Sequence, residues 1–380
     1  MGMILLSVMR LGRSSKILLE FFRLPSTNVI CDVEGKIYKL LFLESCMVYV
    51  YKKIVAGKPY YSLRISERKG KRVISRDIKY LGNNIEEVKI ELEKLIDYKD
   101  EIRKAHRTIN VFLETNYYLE KIKLLKLKKD SYILDKLEET EACKLHFSKI
   151  FNERDNLTKR ETFNEFLIEF AFNTTSIEGN TINLEEAKNL LREGLTPKDK
   201  TLREIYDLQN TKKVFFELYD SGFKEDLSNE LIITIHDNLL ENIDPRKGYR
   251  TVDVRIFKSN FDATPAKFVR TDMGLLLRWY NENKNKLHPL VLATLFHHKF
   301  EKIHPFMDGN GRTGRMILNY ILMKNNYPPM IIHKKVRKEY LEAMRIADKS
   351  GLEKVEIENY SRLVEFNAAE FIGSYWGLFL

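Results

Sequence analysis

The sequence predicts a mainly α-helical protein that carries one small, strongly basic β module ahead of its helices. Three observations lead there. Residues 85–172 contain neither Gly nor Pro and place Leu, Ile, Tyr and Phe at helical spacings among Lys and Glu. Residues 47–83 instead alternate Tyr, Val, Leu and Ile with polar residues and pause at Ala56-Gly57 and Lys69-Gly70. Further on, two apolar-periodic runs flank a twelve-residue loop, HPFMDGNGRTGR at 304–315.

Residues 1–46 lack the sheet pattern, and two expectations stand for this N-terminal extension: it is not native and Met47 is the functional start, or it is disordered. Residues 47–83 predict three short antiparallel strands. Between Lys52 and Lys79 ten Lys/Arg face only Glu67 and Asp77, a net of +8 out of +10 for the whole chain. Such a sheet, basic and aromatic, can hold nucleic acid through its phosphates, and a solvated lysine-rich face is the competing reading. Residues 84–150 form a connector of two or three long helices.

The main helical domain is expected over 151–350. Phe163, Phe166, Leu167, Phe170 and Ala171 give one helical stripe, and Asn183 with Glu185, Glu186 and Gly194 bounds another helix. Within 248–270 the alternation of Val252, Val254 and Ile256, with a return through Pro265 to Phe268 and Val269, predicts a β-hairpin. Leu292, Leu295, Phe296, Phe300 and Ile303 mark a helix from Pro289 that ends near His304, because Pro305 pushes the residue before it out of helical geometry. Tyr327-Pro328-Pro329 breaks the chain before a helix from Lys334 to Ala347. The C-terminal helical segment, 351–380, ends in SYWGLFL, an apolar end that docks on the domain or drives self-association.

Composition excludes several function classes. Cys31, Cys46 and Cys143 are odd in number, far apart and without a CxxC pair, which argues against disulfides and zinc and for a reducing, cytoplasmic compartment. No apolar run is long enough to span a bilayer, and Arg10, Arg13 and Lys16 interrupt the first residues, against a signal peptide.

The loop at 304–315 holds the inventory for handling a phosphate-bearing group. His304 titrates near neutrality and can act as a general base. Asp308 is a hard oxygen ligand suited to Mg²⁺ shared with phosphate oxygens. Gly309, Asn310 and Gly311 form a small-residue turn that feeds the next helix, whose first N–H groups and dipole favour an anion. Arg312 and Arg315 can fork onto outer phosphates.

This run resembles the signature of the Fic family, HPFx(D/E)GNGRxxR, at every fixed position. The resemblance implies a Fic-type helical domain with a β-hairpin flap and a protein adenylyltransferase, moving AMP from ATP to a Ser, Thr or Tyr hydroxyl of a target protein, which can include itself. It assigns His304 as base, Asp308 as Mg²⁺ ligand, Gly309, Asn310 and Gly311 as the anion pocket, and Arg312 and Arg315 as partners of the β- and γ-phosphates. A second motif, TTSIEGN at 174–180, places Glu178 near the end of the stripe-bearing helix, where a carboxylate opposes the dipole and needs an external cation. It is similar to the family's inhibitory pattern (S/T)xxxE(G/N), which implies that Glu178 restrains the enzyme by pairing with Arg315. Two rivals stand beside this reading: an enzyme that removes AMP, alone or as a second activity, and a nucleic-acid-binding regulator acting through 47–83 whose Fic site only senses nucleotide.

Overall fold

The computed structural model describes residues 47–69, 72–254, 263–352 and 356–380, with the backbone of three short strands at Phe22–Arg23, Val29–Cys31 and Ile37–Lys39. The rest of the expected N-terminal extension lies outside the described residues. The chain divides into two compact units between Ile109 and Asn110.

In the first unit, strands Met47–Val55, Lys58–Lys69 and Arg72–Gly82 form an antiparallel sheet in sequence order. The first turn places Ala56 and Gly57 at φ 48° and 76°, the left-handed pair that a tight hairpin requires. Period-two alternation sends Val48, Val50, Tyr61, Leu63 and Ile65 to one buried face. The helix Ile85–Glu93, capped by the Asn84 side chain on the Glu87 N–H, packs on the third strand and buries Ile85, Val88 and Leu92.

The connector is more broken than its composition suggests. Helices Ile85–Glu93, Lys99–Lys104, His106–Leu124 and Leu137–His146 replace two or three long ones. After Leu124 the chain leaves helical geometry at Lys126 (φ 47°), and the Asp130 carboxylate accepts from the N–H groups of Tyr132 and Ile133. Local side-chain bonding of this kind competes with the helix and is invisible to apolar periodicity.

The second unit is helical throughout its described length. Its centre is the antiparallel pair Pro289–Ile303 and Asn310–Lys324, ringed by Asn156–Ile177, Leu202–Asp220, Asn229–Leu239, Val269–Asn283 and Ile357–Leu378. Helix boundaries follow the side chains: Asn183 with Glu186 and Thr201 with Glu204 form capping boxes, Gly194 ends its helix at φ 73°, and Pro289 opens its own. The terminal segment docks inside this unit. Phe379 is fully buried and meets Phe147, Phe151, Phe163, Phe166 and Tyr375 edge-on, tilted or stacked.

The expected hairpin at 248–270 is not formed where it can be followed. Its tip, 255–262, lies outside the described residues, residues 251–254 are irregular, and the returning arm is helical: Ala266–Phe268 is a 3₁₀ turn and Val269 opens the helix Val269–Asn283. Val269 and Met273 are fully buried four residues apart, so the helical period outweighs the short alternation.

Candidate active site

The site forms where the helices Pro289–Ile303 and Asn310–Lys324 meet, and its loop is fixed from beneath by side chains that bond to its backbone. His304 caps the first of these helices in left-handed geometry, φ 52° and ψ 61°, with its N–H on the Phe300 carbonyl. Asn310 turns back on the loop: its amide oxygen accepts from the Phe306 N–H and its amide nitrogen donates to the Phe306 carbonyl, both at 2.9 Å. The Asn310 side chain thus shapes the loop, and what faces an anion is the backbone at the helix start. No side-chain hydrogen bond caps that start, which begins after Gly309 at φ 77°. A Cβ on Gly309 would collide with Leu240.

Arg250 and His236 complete this support. Arg250, 4 % exposed, donates from Nε to the His304 carbonyl at 2.8 Å, from Nη1 to Val252 at 3.1 Å, and from Nη2 to Thr264, while its N–H reaches the Pro305 carbonyl at 2.9 Å. His236 stacks on Phe306 with ring centroids 3.6 Å apart and bonds through Nε2 to the Asp308 carbonyl at 3.1 Å. It packs as a core histidine should, and it also positions the loop.

The half-buried His304 is kept neutral. Burial foremost pulls its imidazole down to about 4, against the raising effects of the Glu301 backbone and the charges of Glu178 and Asp308. A neutral imidazole at physiological pH is the form that accepts a proton.

The opposite wall is made of ion pairs. The Arg315 Nε donates to the Thr174 hydroxyl at 2.7 Å, and its Nη2 to the Thr174 carbonyl at 3.0 Å and to Glu178 Oε1 at 2.7 Å. Glu178 is the C-cap of helix Asn156–Ile177, followed by Gly179 at φ 109°. Its packed surroundings push the carboxyl up, but the Arg315 guanidinium, with Arg312 and Arg337 behind it, outweighs them and holds it below the usual carboxylate value. The side chain is 44 % exposed, so one edge stays open to water. A Cβ on Gly311 would collide with Glu178 Oε1, which places the carboxylate directly on the first turn of the signature helix.

Arg312, 4 % exposed, pairs with Asp207 and, at 3.2 Å, with Asp308. Its Nε has no hydrogen-bond partner among the described residues. The other oxygen of Asp308 pairs with Arg203, an exposed residue of the helix Leu202–Asp220, and Glu204 beside it accepts from Thr181 at 2.7 and 2.9 Å. One helix start thus holds both Asp308 and the chain that follows Glu178. Among the described residues no three His, Cys, Asp or Glu side chains gather to hold a metal ion. Asp308, whose two oxygens are held by Arg312 and Arg203, fits a cation only if that cation brings its other ligands with it, as phosphate oxygens would.

Behind Arg315, Glu301 and His297 press on Gly314. Burial foremost drives the Glu301 carboxyl up to about 8, with Arg315 opposing and Glu178 adding to the shift, and its Oε1 has no hydrogen-bond partner among the described residues.

Residues 226–322 match the model of the Fic/DOC family. This stretch is similar to a Fic domain. Similarity extends beyond the matched stretch: protein adenylyltransferase fic-1 of Caenorhabditis elegans is 29 % identical over 197 residues, 51 % of this chain and 38 % of that protein. Protein adenylyltransferase Fic of Drosophila grimshawi is 29 % identical over 205 residues, 52 % of this chain and 41 % of that one. The shared part is therefore about two fifths of these relatives. The Fic fold is also that of a Fic-domain signalling protein from Bacteroides thetaiotaomicron (TM-score 0.56, 24 % identity, 61 % of this chain and 94 % of that one) and of Fic-1 from C. elegans (TM-score 0.54, 21 % identity, 77 % and 86 %).

All the residues singled out in the Fic signature come together, and Glu178 reaches them from another helix. Arg203, Asp207, Arg250 and Glu301 escaped the sequence. Only Asp207 gave a signal: it interrupts the buried face set by Ile205, Leu208 and Thr211 with a charge.

Proposed function

We propose that the chain is a protein adenylyltransferase that moves AMP from ATP to a hydroxyl side chain of a protein, restrained by Glu178. The observation that carries this is the Glu178–Arg315 pair at 2.7 Å lying over the first turn of the signature helix, on the same loop as a neutral His304. In the reaction the target hydroxyl oxygen attacks the α-phosphorus, its proton passes to His304, and the bond to the pyrophosphate oxygen breaks. Arg312 and Arg315 receive the negative charge that leaves, together with the N–H groups after Gly309. Asp308 would hold Mg²⁺, which when bound offsets phosphate charge. The Glu178 carboxylate occupies Arg315 and the anion site at once, so a triphosphate must displace it before its α-phosphorus can line up with the hydroxyl.

The relatives' names support the adenylyl group, the open hydroxyl class rests on the resemblance of the signature, and a reducing, cytoplasmic setting rests on the cysteines. Cys143 is free and buried, and no helix among the described residues is long and apolar enough to cross a membrane. The test is incorporation of label from α-labelled ATP with Mg²⁺: Glu178→Gly raises it and His304→Ala abolishes it. No increase in the first variant removes the inhibitory role. A second reading, hydrolysis of an AMP-protein bond by a water that Glu178 aligns, is favoured by the water-exposed edge of the Glu178 carboxylate, which lies on the first turn of the signature helix. Release of AMP from a labelled protein by the unmodified chain, lost in Glu178→Gly, is its signature.

A further inference from the structure

The first unit carries a face that the adenylyl-transfer site does not use. Strand register sorts its side chains: with Val48, Val50, Tyr61, Leu63 and Ile65 turned to the helix side, the pairs Tyr49–Arg64, Tyr51–Ser62, Lys53–Tyr60, Ser62–Tyr80 and Arg68–Val73 fall on the other face. With Val55–Lys58, which follows in the same register, four tyrosines, of which Tyr49 is buried, and four cations share one side of a three-stranded sheet. The acid on it, Asp77, bonds to Arg64 at 2.8 Å, and the Arg64 guanidinium lies over the Tyr51 ring at 4.3 Å. Tyr60 and Tyr80 stand 38 % and 53 % exposed as neighbours, ring centroids 6.3 Å apart. Two large rings left in water beside cations, in a stretch with a net of +8, call for a ligand with flat faces and negative charge.

We propose that this face binds single-stranded nucleic acid, with phosphates along Lys53, Arg64 and Arg68 and bases stacked on Tyr60 and Tyr80. An acidic peptide would satisfy the cations but would have no use for two adjacent open rings, whereas every nucleobase has a face to stack. The backbone contacts make the binding salt-dependent, and the stacking makes it tolerant of sequence.

The experiment uses the full chain and a labelled oligothymidylate of about 20 nucleotides, followed by fluorescence anisotropy across a salt series. Binding weakens with salt at a log–log slope of about −2, as about three neutralised phosphates on a single strand require. Lys53→Glu with Arg68→Glu lowers affinity at least about tenfold and flattens the slope. Tyr60→Ala with Tyr80→Ala costs about tenfold or more with the slope unchanged, and Tyr60→Phe with Tyr80→Phe, which keeps the rings, binds as the parent does. The proposal is overturned by absence of salt-dependent binding, by face variants that fold and bind like the parent, by tighter binding to the matching duplex, or by polyglutamate displacing the strand as well as unlabelled oligothymidylate does. Since His304→Ala leaves this binding untouched, the result is independent of the adenylyl-transfer reading.

Discussion

The two walls of the candidate active site are built from different interactions, although twelve residues of one loop hold most of both. On the His304 side, Arg250, His236 and Asn310 bond to backbone groups of the loop and leave nothing for a ligand to exchange with. On the phosphate side, Arg315, Arg312 and Asp308 are each matched to a charged side chain: Glu178, Asp207 and Arg203. A polyphosphate and its cation carry the same charges as those partners and can replace them. On the proposed reading the base is therefore preorganised and the anion site provisional.

Breaking the fixed wall should give the largest effect. His304→Ala is expected to lower AMP incorporation by about 10²–10⁴-fold, with unchanged nucleotide binding by calorimetry. Arg250→Ala removes donors from buried carbonyls at His304 and Thr264 and should destabilise the fold by about 3 kcal/mol in urea titration, since buried acceptors left without partners are costly.

Changes on the provisional wall should instead release activity. Glu178→Gly is expected to raise incorporation and to tighten ATP binding by about tenfold, because the nucleotide no longer competes with a resident carboxylate. If activity rises without a change in affinity, the restraint acts on geometry alone. Arg203→Ala breaks an exposed pair, so the Mg²⁺ concentration that half-saturates nucleotide binding should fall by only about twofold to fivefold.

The smallest effect probes the layer behind Arg315. Glu301 titrates at about 8 in the fold against 4.5 for an unperturbed carboxyl, mainly because it is buried. Between those values the folded protein holds a proton that the unfolded chain releases, so this group's contribution to stability falls as pH rises from about 4.5 to 8. Glu301→Gln should therefore melt close to the parent at pH near 5 and above it near 8 by thermal unfolding.

Much of the fold was legible because the helices end on recognisable chemistry: Asn183 with Glu186, Gly194, Pro289 and the Pro305 that follows His304 all stop or start where periodicity places them. The signature positions were legible for the same reason, since loop, helix start and side chains are contiguous. Arg203, Asp207 and Arg250 were not, because their partners lie 105, 105 and 54 residues away and nothing local announces a long-range bond. Of the hairpin expected at 248–270 the tip lies outside the described residues, and the described returning arm follows a helical period, with Val269 serving a helix face. The Arg250 bonds to Val252 and Thr264 tie together the described ends of that segment.

Glu178 is the C-cap of its helix, bounded by a glycine at positive φ and open to water along one edge. Withdrawing it asks for the fraying of a single terminal turn, while the aromatic cluster around Phe163 and Phe166 further back along the same helix stays packed. If Glu178 restrains transfer as proposed, the setting of that brake is governed by local melting and not by global unfolding. Modest heat, crowding by a partner at the Gly179 turn, or one substitution between Thr175 and Asn180 could change output many-fold in a molecule whose overall stability is unaltered.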